Sequence, residues 1–403
     1  MLRLPLVFIS LFLAAAAVHS QTASRDFSLD SSLNSSLNYK AMAERMVAQL
    51  DLQPGETFLA VAHPDEFEEL IPHLRYAVMK TGAVDLGVMN VLGGPMPESW
   101  SADVLARADA AARPALADLL KGVDASVMLP GTSPEQPAYA AIQDNLRSGR
   151  GRTVHFHWLG NDSAVPLPGQ SLPPVDRLEA TYARAILETD YAALARTLQG
   201  FEEAMRGSEI RVTSPAGTDI RFRIGDRPVN RQDGDASAAR TDAGRVLVDR
   251  EIELPAGVMR VAPMEDSVSG SIAFPPSRWS GQPVSGLVLT LEKGQVIDVT
   301  AEEGADAVKA EMAAAGEAGR AFREFALGFN PLLAVPKEHP WIPYYGYGAG
   351  VVRLSLGDNT ELGGEVEGGY VRWNFFADTT VTVDGDVWVQ GGRLVGGGSD
   401  ESK

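Results

Sequence analysis

The hydrophobic pattern of this chain changes grammar once, and that change limits what it can fold into. From about Tyr39 to Arg206, helix-like and strand-like stretches alternate; from Ser208 onward, short strands punctuated by Gly and Pro dominate. Alternation at this spacing needs crossover connections and predicts βα units in a mostly parallel sheet. In the first half the pattern predicts strands over 57–62, 84–91, 125–129 and 154–158. It predicts helices over 40–49, 68–81, 101–121 and 136–147, then two bridging helices over 177–188 and 191–205. In the second half, strands are predicted over 209–213, 219–224, 271–273, 286–292 and 295–300, with one long helix over 305–318. Asp384-Gly385 between two apolar runs predicts a hairpin over 381–389. The expected architecture is an α/β N-terminal domain with a mostly parallel sheet, followed by a β-rich α+β domain.

The length, 403 residues, suits two domains or three, each large enough for a core of its own. The expected division is a signal segment over 1–20, a Ser/Asn-rich leader over 21–38, the α/β domain with its bridging helices over 39–206, the β-rich domain over 207–395, and a Gly/Ser/charged tail over 396–403. The signal reading rests on Arg3, the apolar run Leu4 to Val18, and small residues at Val18 and Ser20. It implies export to the periplasm or beyond, and no membrane partner after cleavage. Lys and Arg total 35 against 53 Asp and Glu, a net charge of -18, which disfavours nucleic acid and anionic lipid as partners. The absence of cysteine excludes disulfides, thiolate nucleophiles and Cys-ligated metal.

Three stretches carry candidate chemistry. Ala62-His63-Pro64-Asp65-Glu66 closes a predicted strand, and the string resembles the metal-binding motif of the LmbE-like zinc N-deacetylases. That family prefers two Asp before the Glu, and acids after a strand end are also how a helix N-terminus is built. His155 and His157 fall on one face of a predicted strand and could share a metal, or could simply be half-buried. Tyr344, Tyr345 and Tyr347 lie in a Gly-rich aromatic stretch, which reads either as a lid beside a pocket or as a packed loop.

A set of segments in the second half falls in one recognisable order. They are Val212-Thr213-Ser214-Pro215-Ala216-Gly217-Thr218-Asp219, Leu254-Pro255-Ala256-Gly257, Ala262-Pro263, Glu265-Asp266-Ser267-Val268, Glu324-Phe325-Ala326-Leu327-Gly328, Asn330-Pro331, Leu356-Gly357-Asp358-Asn359, Gly363-Gly364-Glu365-Val366 and Val383-Asp384-Gly385. Their order resembles the thermophilic metallo-aminopeptidase family, which includes leucyl aminopeptidase, aminopeptidase T and aminopeptidase S. The resemblance runs from about Tyr39 to Val395.

The resemblance implies an N-terminal α/β domain and a β-rich domain holding two divalent metal ions, such as zinc or cobalt, that activate water against a peptide's first carbonyl. It also implies a homodimer. The ligand positions it picks out here are Val258, Glu324, Arg353, Arg372 and Asn374, where the family has Glu, Glu, His, and a His-x-Asp pair. Only Glu324 is retained. Val has no lone pair, and Arg is a permanent cation that cannot ligate one. The expectation is therefore a site with no metal cofactor, in which Arg353 and Arg372 face Glu324 and either fill the cavity or hold a peptide or small anionic ligand. Two other readings stay open: a working metal-dependent aminopeptidase, and a zinc N-deacetylase built on His63, His155 and His157.

Overall fold

The structure is a computed structural model, and it describes residues 37–64, 66–91, 112–160, 163–244 and 247–395. The expected signal and tail, the expected leader up to residue 36, Asp65 and the first half of the helix expected over 101–121 lie outside the described residues; residues 112–120 are helical. Among the described residues no helix is long and apolar enough to cross a membrane.

The alternating half forms a five-stranded parallel sheet. Its strands are Val84–Asn90, Thr57–Ala62, Ala125–Met128, Arg152–Phe156 and Glu251–Leu254, in that spatial order. The inner strands read Thr-Phe-Leu-Ala-Val-Ala and Ala-Ser-Val-Met and are buried almost throughout, as expected of strands covered on both faces. Helices Tyr39–Leu50, Leu70–Lys80 and Pro137–Arg147 pack apolar stripes onto it, Met42, Met46 and Leu50 supplying one of them. The last strand departs from expectation. Glu251–Leu254 belongs in sequence to the β-rich half, yet it pairs in parallel with Arg152–Phe156, Thr153 opposite Glu251 and His155 opposite Glu253. The boundary expected at 206 is thus crossed by a returning strand.

That returning strand runs within a few residues into Val258–Val261, an inner strand of a second sheet. This sheet is ordered Val371–Arg372, Val352–Gly357, Phe322–Gly328, Val258–Val261, Val229–Gln232, with Phe375–Phe376 also paired to Val352–Gly357. A third, eight-stranded antiparallel sheet contains Ile210–Thr213, Asp219–Phe222 and the 380–390 hairpin. Asp384 and Gly385 both take positive φ in that turn, as a two-residue hairpin loop requires. The two antiparallel sheets meet through Phe222, which packs on Phe322 and Phe325. One face of the second sheet, with Phe325, Leu327, Leu354 and Leu356, is therefore committed to core. The alternate residues point to the other face, which looks back toward the parallel sheet.

Candidate functional site

That second face carries the candidate site. Val258 and Arg260 stand on one strand, Glu324 and Ala326 on the next, Arg353 and Ser355 on the third; the register pairs Glu324 with Ser355, and Ala326 with both Arg260 and Arg353. The Glu324 side chain is fully buried. Its Oε2 lies 3.1 Å from the Arg260 guanidinium, its Oε1 lies 2.8 Å from Arg353 Nε, and Ser355 Oγ approaches the same Oε1 at 3.3 Å. Arg260 also reaches Glu361 at 2.5 Å, and Arg323 pairs with Glu361 as well. A bulge between Phe322 and Glu324 breaks the register here, and it lets the adjacent residues Arg323 and Glu324 both join the network.

Burial opposes ionisation of Glu324, but the facing Arg260, Arg353 and Arg323 outweigh it and hold its carboxyl far below the usual carboxylate range. Glu361 is held down in the same way, burial being overcome by Arg260 and Arg323. Arg353 lies 5.2 Å beneath the Trp373 ring and donates to the Tyr345 carbonyl at 3.3 Å.

The structure brings together Val258, Glu324 and Arg353 but not Arg372. Arg372 is paired with Leu356, so it points to the opposite face from Ser355. There it donates to Glu311 at 2.8 Å and to the Arg278 carbonyl at 2.9 Å, with its guanidinium 3.5 Å over Trp279. The expected Arg353–Arg372 fork around Glu324 is corrected to Arg260–Arg353, because strand parity turns Arg372 away. Asn374 spends its amide on the Leu354 carbonyl, 3.1 Å away, and so ties the strand edge. Arg260, Arg323 and Glu361 were not among the expected site residues. The signal for the first two was a charge inside an otherwise apolar run, Val258-Met259-Arg260-Val261 and Phe322-Arg323-Glu324-Phe325.

A second polar cluster lies on the parallel sheet. His155 and His157 do share a face, with ring centroids 3.7 Å apart. Tyr139 from helix Pro137–Arg147 contacts His155 Nδ1 at 2.8 Å and donates to Glu251, whose other oxygen accepts from Gln143 at 3.0 Å. Burial, then the neighbouring His155, pushes the His157 imidazole well below its ordinary value, so it is neutral near pH 7. Its Nε2 has no hydrogen-bond partner, and neither does the buried Tyr344 hydroxyl. The Tyr344 and Tyr345 rings pack against His157 at 5.7 and 5.6 Å. Tyr344 and Tyr347 are core residues and only Tyr345 is half exposed, so the stretch is the packed loop of the two readings. Tyr347 donates to Glu253 and so stands between the two clusters.

His63 and Glu66 pack over Gly131, where an added Cβ would lie 2.6 Å from His63 Cβ. Among the described residues no group of three or more His, Asp or Glu is placed to hold a metal ion.

Several segments of the ordered set turn out to be joints. Asn330 donates to the Thr189 hydroxyl at 2.9 Å and the Ala256 carbonyl at 2.8 Å, fastening the strand ends on which Val258 and Glu324 sit. Asn359 donates to Glu265 and accepts from the Val366 amide, and its side chain leaves no room for a Cβ at Gly364.

Comparison with known proteins is consistent with this layout. Residues 190–332 match a family model described as thermophilic metalloprotease (M29). No curated protein matches the chain. Among solved structures, a 2,5-dihydroxypyridine dioxygenase from Pseudomonas putida KT2440 is 16% identical, with TM-score 0.58, over 91% of this chain and 98% of its own. Wild-type AmpT from Thermus thermophilus is 18% identical, with TM-score 0.56, over 88% of this chain and 99% of its own. At such identities the likeness is one of fold, and it spans nearly the whole described chain. The likeness to the thermophilic metalloprotease (M29) family is thus carried in sequence by residues 190–332, and beyond them by the fold.

Proposed function

We propose that this chain is an exported member of a metallopeptidase family whose former metal position is occupied by an arginine–glutamate network, and that it does not release N-terminal residues from peptides. The observation that carries the reading is the environment of Glu324. Both of its oxygens are engaged by guanidinium groups from neighbouring strands. A pair of divalent cations would need those oxygens, together with lone pairs from several neighbours. Val258 has none, and Arg260, Arg323 and Arg353 bring fixed positive charge where cations would sit. The donor set does not fit the family's metals, and no hydrolytic step is derived through them. A guanidinium does what the metal would do electrostatically, compensating the buried carboxylate, but it cannot polarise a carbonyl as a Lewis acid or lower the pKa of a bound water.

The deacetylase reading has no support in the placement of His63. Against the aminopeptidase reading stand the arginines around Glu324 and Val258 in place of a carboxylate. Export rests on the apolar run after Arg3.

The test is metal content by elemental mass spectrometry on protein beginning at Gln21, purified without chelator or His tag, together with turnover of aminoacyl anilides. No stoichiometric zinc, cobalt or manganese and no turnover are expected. Chelator-sensitive turnover, or one metal per chain lost on Glu324→Gln, would overturn the reading. The mass of the exported protein from its native host tests cleavage near Gln21.

A further inference from the structure

The sequence suggested that Arg353 and Arg372 hold an anion, but in the structure those guanidiniums are already paired with Glu324 and Glu311. Most buried or half-buried cations of this acidic chain are spent the same way: Arg152 on Glu56, Arg206 on Glu202, Arg227 on Glu265, Arg372 on Glu311. A different part of the molecule keeps its positive charge free. Helix Val175–Glu188 presents Arg177 and Arg184 outward, seven residues apart and so on one side. Among the described residues neither makes an ion pair or a side-chain hydrogen bond. Both line one cleft of about 300 Å³, together with Thr181. Pro336, Glu338, His339 and the buried Trp341 line it from the 336–341 loop.

We infer that the cleft between helix Val175–Glu188 and the 336–341 loop is a binding site for a monocarboxylate with an apolar body, held by Arg177 and Arg184 and seated against Pro336 and Trp341. The volume is at the lower limit of small-ligand sites, which restricts the occupant to a group of about side-chain to dipeptide size. Two guanidiniums offer forked donors suited to a carboxylate. Glu338 at the rim repels a second negative charge, which selects against polyanions. The carboxylate can come from the C-terminus of a peptide or from a free organic acid.

The test uses isothermal titration calorimetry of the mature protein with N-acetyl-Leu-Phe, its C-terminal amide, and phenylpropionate. The N-acetyl group blocks any aminopeptidase action, so the outcome is independent of whether the sheet site holds metal. The peptide acid should bind, and the amide should bind at least about tenfold more weakly. Arg177→Ala and Arg184→Ala should each weaken the acid about tenfold, while Arg196→Ala on the next helix leaves it unchanged. Phenylpropionate binding as tightly as the peptide acid identifies a free-acid site; tighter peptide binding identifies a peptide-terminus site. The inference is overturned if the amide binds as well as the acid, if both arginine variants keep the wild-type affinity with an unchanged melting temperature, or if no acid binds by about 1 mM.

Discussion

The two buried polar clusters handle the cost of burial in opposite ways. Around Glu324 the dominant partners are fixed charges, and the solution is opposition: one carboxylate set against Arg260 and Arg353, and Glu361 against Arg260 and Arg323. Around His157 the solution is neutrality: an imidazole that does not take up a proton, stacked on a second ring and capped by tyrosines. The first arrangement tolerates no missing member, because removing one leaves another charged and buried. The His157 ring itself can be replaced by an apolar one, but it cannot be protonated without cost. The same fold, on faces that Tyr347 and Glu253 connect, thus holds one site sensitive to substitution and one sensitive to pH.

The largest effect expected from this contrast is on Glu324→Gln. The amide keeps the shape, but it strips the countercharge from Arg260 and Arg353 in a site closed to water. The expected loss is about 3–5 kcal/mol of stability, read as a fall in the urea midpoint with an unchanged slope. A loss below about 1 kcal/mol would put the network in the class of solvated surface pairs.

Next in size is Tyr139→Phe. This hydroxyl contacts both His155 and Glu251, which otherwise approach each other only at 3.5 Å, and its removal leaves a buried carboxylate oxygen short of a close donor. The expected cost is about 1–3 kcal/mol. Gln143→Leu should add to it by less than the sum of the two single losses, because both side chains serve the same carboxylate. Full additivity in the double-mutant cycle would mean that the two act separately.

How far the sequence carried depends on the same chemistry. The inner strands of the parallel sheet are apolar runs between helices, and Thr57–Ala62 lies where the pattern placed it. The strands that build the site were passed over, because Glu251–Leu254, Val258–Val261 and Phe322–Gly328 bury charged residues and so lack both simple alternation and an uninterrupted apolar run. A buried ion pair is visible only when both partners are known to be neighbours, and strand order is a property of the whole fold. Arg372 shows the limit in the other direction. It was picked out as a ligand position, but one residue of strand parity decides which face a side chain takes. The segments that carried the resemblance, around Asn330 and Asn359, hold joints. They therefore report the fold and say little about what the sheet face does.

The smallest effect is the one that separates the clusters in pH. His157 is neutral in the fold and has an ordinary affinity for protons when unfolded. A group whose folded pKa is depressed contributes stability that is complete above its unfolded value, about 6.5, and is lost as pH falls below it, because the unfolded chain then binds the extra proton. The slope is at most about 1.4 kcal/mol per pH unit, so about 2 kcal/mol can go between pH 6.5 and 5. Glu324 and Glu361 are depressed carboxylates, and their share is lost only below the unfolded carboxylate value, near pH 4.3. His157→Phe keeps a ring against His155 and gives up a nitrogen that has no partner. It should cost little at pH 8, flatten the decline between pH 6.5 and 5, and leave the fall below pH 4.3 in place. Urea midpoints of the wild type and His157→Phe at pH 8, 5 and 4 measure all three. A decline between pH 6.5 and 5 that survives the substitution would assign that window to another group and remove the contrast in how the two clusters are held.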